Sequence, residues 1–270
     1  MNRSTPARPA LGTSRRATLV TTLVTAKALT TSLVLVVTPG QARAANVQGS
    51  GTSATETRTL DAFEAVALSG AIDLVVRQGA QQSVQVQADD NLLSMLETLV
   101  ESGRNGSTLK VRWKRDSGWG SGRQNMQTRS KVLITVVMPK LSAVAVAGSG
   151  DVRVEAFTTP SLQLSLSGSG DARLNGLTTD ELSVRVSGSG DVSGNGSAAK
   201  VKISIAGSGD VRLAEMRADD VSVSIAGSGD AAVNAQKALT VSIAGSGDVS
   251  YTGDAQVKSS VAGSGSVRRK

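Results

Sequence analysis

Apolar and polar residues alternate strictly along much of the second half of this chain. In the stretch from Val201 to Leu213, Val201, Ile203, Ile205, Gly207, Gly209, Val211 and Leu213 share one phase, and Lys202, Ser204, Ala206, Ser208, Asp210 and Arg212 the other. A period of two marks a β-strand with one buried face. The pattern recurs at Leu162, Leu164 and Leu166, at Leu182, Val184 and Val186, and again at Val221, Val223 and Ile225. Each run leads into Gly-Ser-Gly-Asp. Six copies begin at Gly148, Gly168, Gly188, Gly207, Gly227 and Gly245, and a seventh at Gly263 ends in Ser266. Their start-to-start spacings are 20, 20, 19, 20, 18 and 18 residues. The glycines fall in the inward phase, which suits a corner with no room for a Cβ.

One such unit cannot bury its apolar face, but a stack of units can. The repeat therefore predicts an all-β fold, a right-handed parallel β-solenoid with coils of 18–20 residues over 143–270. At a strand spacing of about 4.8 Å, seven coils make a rod of roughly 30 Å. Upstream, period-two runs at Ile72, Leu74 and Val76, at Val84 and Val86, and at Leu109, Val111 and Trp113 predict strands. Asp90 or Asn91 is expected to cap a short helix with Leu92, Leu93, Leu96, Leu99 and Val100 on one face. Residues 114–130, rich in Gly, Ser, Arg and Gln, read as an exposed loop, and Val132–Met138 as a strand stopped by Pro139. Residues 60–142 thus form a β-rich part with one short helix that caps one end of the solenoid. The basic tail Arg268-Arg269-Lys270 is expected to discourage edge pairing at the other. The small polar residues of 45–59 read as a flexible linker.

Stacking places Asp151, Asp171, Asp191, Asp210, Asp230 and Asp248 in an outward carboxylate ladder. Adjacent unit charges about 4.8 Å apart repel by roughly 0.9 kcal/mol in water, so something must offset them. Arg153, Arg173 and Arg212 lie two residues on in the same phase and can serve three of the six. Asp191, Asp230 and Asp248 have no such neighbour, which leaves Ser hydroxyls, turn amides or a bound cation.

Composition narrows the chemistry. Five aromatic residues, Phe63, Phe157, Trp113, Trp119 and Tyr251, leave the core to slim aliphatic side chains. The absence of cysteine excludes disulfides, thiolate metal sites and lipid attachment at a lipobox cysteine. The absence of histidine removes the commonest general base and metal ligand. The net charge of +7 belongs largely to residues 1–44, which hold six of the 29 Lys and Arg and none of the 22 Asp and Glu. Those residues have the three parts of an export signal: a basic stretch to Arg16, an apolar stretch strongest at Leu33–Val37, and Ala42-Arg43-Ala44 after the Pro39-Gly40 break. Cleavage is expected after Ala44. Ser14-Arg15-Arg16-Ala17-Thr18-Leu19 resembles a twin-arginine signal, with Thr18 where Phe is usual, and the general secretory route is the alternative. Lys27 and the many threonines argue against a retained membrane span, which needs about 20 mainly apolar residues. Nucleic-acid binding loses its support once the signal's charge is set apart.

The strand–GSGD–strand units, the opening Phe63-to-Gln78 segment, Asp89-Asp90-Asn91-Leu92-Leu93 and Met138-Pro139-Lys140-Leu141 together resemble the auto-transporter adhesin head GIN domain family, a bacterial domain of unknown function. The resemblance covers roughly Leu60 to Val267. It implies export in bacteria and a β-helical fold, with periplasm or cell surface as the destination.

Four sharper readings attach to particular residues. Calcium is the one cofactor to weigh, held by the ladder at Asp191, Asp230 and Asp248, because carboxylates suit calcium and Gly-Gly-x-Gly-x-Asp turns bind it. Here the period is about twice that of those nonapeptides, and a tight corner with Asp satisfying turn amides is favoured. Nucleotide binding through the Gly-x-Gly element lacks both a following helix and a Walker lysine. Catalysis needs carboxylates in unlike environments, whereas this ladder is uniform. Trp119 and Arg115 are candidates for partner binding on the 114–130 loop, with Trp113 instead part of a strand core. The expectation is an exported, non-catalytic cell-envelope protein with an adhesin-like binding or scaffold role. Its partner would be an envelope or cell-surface protein or polysaccharide, with self-association open. The alternative is a calcium-dependent polysaccharide-binding or polysaccharide-cleaving protein.

Overall fold

The computed structural model describes residues 47–103, 106–114 and 126–270, and the expected export signal and the residues Arg115 and Trp119 lie outside them. In chain order the first strands are β1 (Val47–Gln48), β2 (Ser53–Arg58), β3 (Ala65–Gly70), β4 (Asp73–Gln78) and β5 (Ser83–Asp89). A 3₁₀ turn at Leu93–Met95 leads to β6 (Leu96–Gly103), β7 (Gly106–Trp113), β8 (Met126–Gln127) and β9 (Leu133–Met138). The repeat region opens with β10 (Ala143–Gly148), β11 (Val152–Glu155) and β12 (Thr158–Gly168). Four long strands follow: β13 (Ala172–Gly188), β14 (Val192–Gly207), β15 (Val211–Gly227) and β16 (Ala231–Gly245). The chain closes with β17 (Val249–Thr252), β18 (Gln256–Gly263) and β19 (Val267–Arg269).

The repeats stack as parallel coils in register, as the sequence predicts. Gly70, Gly148, Gly168 and Gly188 oppose one another in successive strands, and the column continues through Gly207, Gly227, Gly245 and Gly263. Two residues before it runs a buried aliphatic row containing Leu68, Val146, Leu166, Val186, Ile205 and Ile225. Fully burying such a side chain is worth about 1.5–3 kcal/mol, and each is covered by its counterparts one coil away. After the Gly-Ser-Gly-Asp corner a second face carries Val152, Ala172, Val192, Val211 and Ala231 inward, and beyond it short segments add Phe157, Leu177 and Met216. The unequal coil lengths leave the glycine column untouched. Register shifts fall instead between Leu174 and Leu177, between Ser193 and Asn195, and between Leu213 and Arg217.

The first glycine of each corner is required twice over. Gly207 has φ +135°, a region closed to L side chains, and a Cβ there would stand 2.3 Å from the Gly188 carbonyl oxygen. The glycine thus admits the backbone of the neighbouring coil, beyond easing the bend itself.

The upstream strands close one end of the stack. Beside β3 lies β7, parallel, and β6 pairs antiparallel outside it. Beside β4 lies β9, parallel, followed by antiparallel β5 and then β2. Antiparallel outer strands break the coil pattern, so a further coil has no matching edge. Two expectations are corrected here. The helix over Leu92–Val100 is only the 3₁₀ turn at Leu93–Met95, after which Leu96, Thr98 and Val100 follow strand periodicity opposite Trp113, Val111 and Leu109. A short leucine-rich run satisfies both periods, and the hairpin with β7 decides between them. Within the expected linker, Ser53–Arg58 is not free either, because it hydrogen-bonds along β5 from Asp89 to Val84.

At the opposite end β18 is exposed along its length, including Val257 and Val261. The basic tail is not a loose guard. Val267–Arg269 forms β19 on β17, with Arg268 and Arg269 ion-paired to Asp248 and Asp254.

Candidate functional site: the aspartate column and its flanking grooves

The corner aspartates stand one above another, and their side chains bond to the coil that follows. Asp151 Oδ1 accepts the Asp171 N–H at 3.1 Å, Asp171 Oδ1 that of Asp191 at 3.1 Å, and Asp191 Oδ1 that of Asp210 at 2.9 Å. The series continues from Asp210 to the Asp230 N–H at 2.9 Å and from Asp230 to the Asp248 N–H at 2.8 Å. It ends at Ser266, whose N–H and hydroxyl both donate to Asp248 Oδ1 at 2.8 Å. It begins one coil earlier than the motif indicates. Asp73, in Gly70-Ala71-Ile72-Asp73, accepts the Asp151 N–H at 2.9 Å. The main-chain carbonyl of each aspartate serves the previous coil, as where Asp171 accepts from Val152 N–H at 2.7 Å. At the bend no carbonyl of the previous coil takes the aspartate N–H, and the carboxylate takes that place, as Asp does in an Asx turn.

Cations reach the column across coils as well as within them. The Arg212 guanidinium lies 2.8 Å from both Asp191 Oδ2 and Asp210 Oδ2, and Arg268 2.8 Å from Asp248 Oδ2. Asp191 and Asp248 therefore do have basic neighbours. The pairing expected from a two-residue offset within one coil misses them because the arginine comes from the next coil. Arg173 stands 3.8 Å from Asp171, a loose pair, and among the described residues neither Asp151 nor Asp230 has a cation within 4 Å. Burial works to raise the Asp191 pKa, but the Asp210 amide and Arg212 outweigh it and hold the carboxyl below its usual range. The Ser266 hydroxyl and N–H, helped by Arg268, lower that of Asp248 against partial burial. Among the described residues no group of three or more His, Cys, Asp or Glu is arranged to hold a metal ion.

Two open grooves flank the column. One, of about 470 Å³, runs past Asp210, Asp230 and Asp248 to the Arg268–Lys270 tail. The other, of about 480 Å³, lies where the solenoid meets its cap and includes Asp73, Asp151, Arg153, Arg173 and Lys131.

The sequence singles out Asp89 only as the first residue of the family-resembling stretch Asp89-Asp90-Asn91-Leu92-Leu93, with the helix cap placed at Asp90 or Asn91. Asp89 is fully buried and accepts the N–H groups of Gly51 at 3.0 Å, Arg129 at 2.9 Å and Ser130 at 3.2 Å. Burial pushes its pKa up, yet the amide donors of Arg129, Ser130 and Gly51 bring it below the usual value. It clasps the approach to β2 to the approach to β9. Nothing in the sequence marks that role, since its donors are backbone groups far along the chain. Trp113 ends β7 partly buried against the core, near Gly70.

Among solved structures, one described as a putative adhesin from Bacteroides fragilis is 24% identical, with a TM-score of 0.75 over 83% of this chain and all of that one. A structure from Parabacteroides distasonis described as a putative lipid binding protein is 24% identical, with a TM-score of 0.69 over 83% of this chain and 99% of that one. A further structure described as a putative adhesin, from Parabacteroides merdae, is 22% identical, with a TM-score of 0.62 over 84% of this chain and all of that one. At these identities the likeness establishes the fold. No curated protein sequence matches the chain. The sequence of residues 62–255 matches one family over well more than half of the chain, and the protein belongs to that family, described as "Putative auto-transporter adhesin, head GIN domain".

Proposed function

We propose that the protein is exported and works at the bacterial cell envelope as a non-catalytic, adhesin-like binding module. One observation carries this reading: every corner aspartate commits its Oδ1 to an inter-coil amide bond, in the same way from Asp73 to Asp248. Catalysis by paired carboxylates needs environments that push two pKa values apart, and a repeated structural bond does the reverse. What is left for function is the rigid outer surface. Family membership supports an adhesin-like role, and the three-part pattern of residues 1–44 supports export.

The direct test is adhesion. Beads coated with the purified protein are expected to retain envelope fragments of the producing bacterium above beads coated with an unrelated β-rich protein; equal retention defeats the proposal. N-terminal sequencing of the protein recovered outside the cytoplasm is expected to begin at Ala45. Calcium is addressed by melting the protein with calcium and with chelator. The two curves are expected to coincide, because the Asp191 and Asp248 carboxylates already hold an amide and an arginine; a shift of many degrees favours the calcium-dependent alternative.

A further inference from the structure

The groove between solenoid and cap holds a charge arrangement that the fold does not use. Arg153 and Arg173 are register partners on adjacent parallel strands, so their guanidinium groups rise side by side from one face. Among the described residues Arg153 and Lys131 have no carboxylate within 4 Å, and Arg173 has only the loose contact with Asp171. Elsewhere in the column the arginines are engaged, as Arg212 and Arg268 are at 2.8 Å. The groove thus keeps two adjacent, repelling cations and a nearby lysine without close partners.

The rest of the groove limits what can neutralise them. Its floor crosses the sheet through Ser53, Gln87, Leu133, Val75, Arg153 and Arg173, on strands β2, β5, β9, β4, β11 and β13. Six strands span about 24 Å, the reach of an extended chain rather than a single small molecule. Leu133 and Val75 give an apolar strip between a polar edge, where Gln87 Nε2 donates to Ser53 Oγ at 3.0 Å, and the arginine pair. Asp73 and Asp151 also line the groove, and each commits Oδ1 to an inter-coil amide while Oδ2 has no described partner. Asp73 and Asp151 repel a densely charged phosphate chain more than a sugar chain with one carboxylate per ring, and they accept hydrogen bonds from hydroxyl groups, which a polyphosphate chain lacks. A guanidinium pair offers a planar fork for a carboxylate.

We propose that this groove binds an acidic oligosaccharide, its carboxylate on Arg153 and Arg173, its ring C–H faces on Val75 and Leu133, and its hydroxyls on Asp73, Asp151, Ser53 and Gln87. The assignment rests on the binding-module reading and names the ligand class for it.

Calorimetric titration of the full chain with an oligogalacturonate of about five units tests it, beside a neutral cello-oligosaccharide of similar length and inorganic polyphosphate. Binding is expected for the uronide alone, weakening as salt is raised. The R153Q/R173Q variant is expected to bind at least tenfold more weakly while melting as the parent does. An R185Q/K202Q control, altering a separate hollow beside Ser161 and Ser183, is expected to bind normally. Undiminished binding by R153Q/R173Q overturns the proposal, and so does polyphosphate binding as tight as the uronide's. If the uronide is ignored while envelope fragments are still retained on beads, the ligand class falls and the binding-module reading stands. If neither is retained, both fall.

Discussion

At each corner of the coil a carboxylate oxygen takes the place of a carbonyl, and a glycine takes the place of any residue with a Cβ. Both substitutions can be tested singly. Asp230 has no described cation partner, so its inter-coil bond can be separated from ion pairing. Asp230→Ala leaves the Asp248 N–H without its acceptor and is expected to lower stability by about 1 kcal/mol in urea unfolding, while Asp230→Asn keeps an oxygen there and costs less. Gly207→Ala meets both a positive φ and the Gly188 carbonyl at 2.3 Å, and is expected to cost about 3 kcal/mol or more. An alanine at Gly207 that left the melting temperature unchanged would contradict the stacked-backbone account.

Among the elements, burial depends on having a coil on both sides. Ile243 on β16 is 2% exposed, while its register partner Val261 on β18 is 41% exposed. Ile243→Ala is expected to cost about 2–5 kcal/mol, and Val261→Ala about 0.5 kcal/mol or less, although both occupy the same phase of the repeat. The sequence treats the two positions alike, and only their place in the stack separates them. Coil length shows the same dependence on place. Inserting one residue between Leu213 and Arg217, where the register already shifts, is expected to leave the melting temperature nearly unchanged. The same insertion between Gly207 and Asp210 displaces the glycine column and two aspartate bonds, and is expected to abolish cooperative unfolding in that region.

Across the whole molecule, charge is nearly inert around neutral pH. There is no histidine to titrate between pH 5 and 8, and amide, hydroxyl and arginine donors hold the Asp89, Asp191 and Asp248 carboxyls below their usual range. A carboxyl whose pKa is lower folded than unfolded binds fewer protons in the native state. Its contribution is complete above the unfolded value of about 3.9 and is lost as pH falls through the folded value. The melting temperature is therefore expected to be flat from pH 6 to 8 and to fall below about pH 4. Asp89→Asn, if it folds, should flatten that acid limb, because it removes a group clasped by three amides; an unchanged limb would show that Asp89 takes no part in it.

The alternation through Gly-Ser-Gly-Asp determined by itself that the chain coils, which residues face inward and where the aspartates stack. A period of two and a repeat of 18–20 residues admit few other ways to bury slim aliphatic side chains. Only the tertiary structure decided which groups meet from different coils. Arg212 reaches Asp191, Asp73 joins a column whose motif it lacks, and Asp89 collects amides from positions 51 and 129–130. It also turned the leucines near 92–100 into a hairpin edge and left Arg153 beside Arg173 without a close partner among the described residues. The physical reason is range: strand phase is written in neighbouring residues, whereas hydrogen bonds and ion pairs across coils depend on register between segments 18 to 80 positions apart.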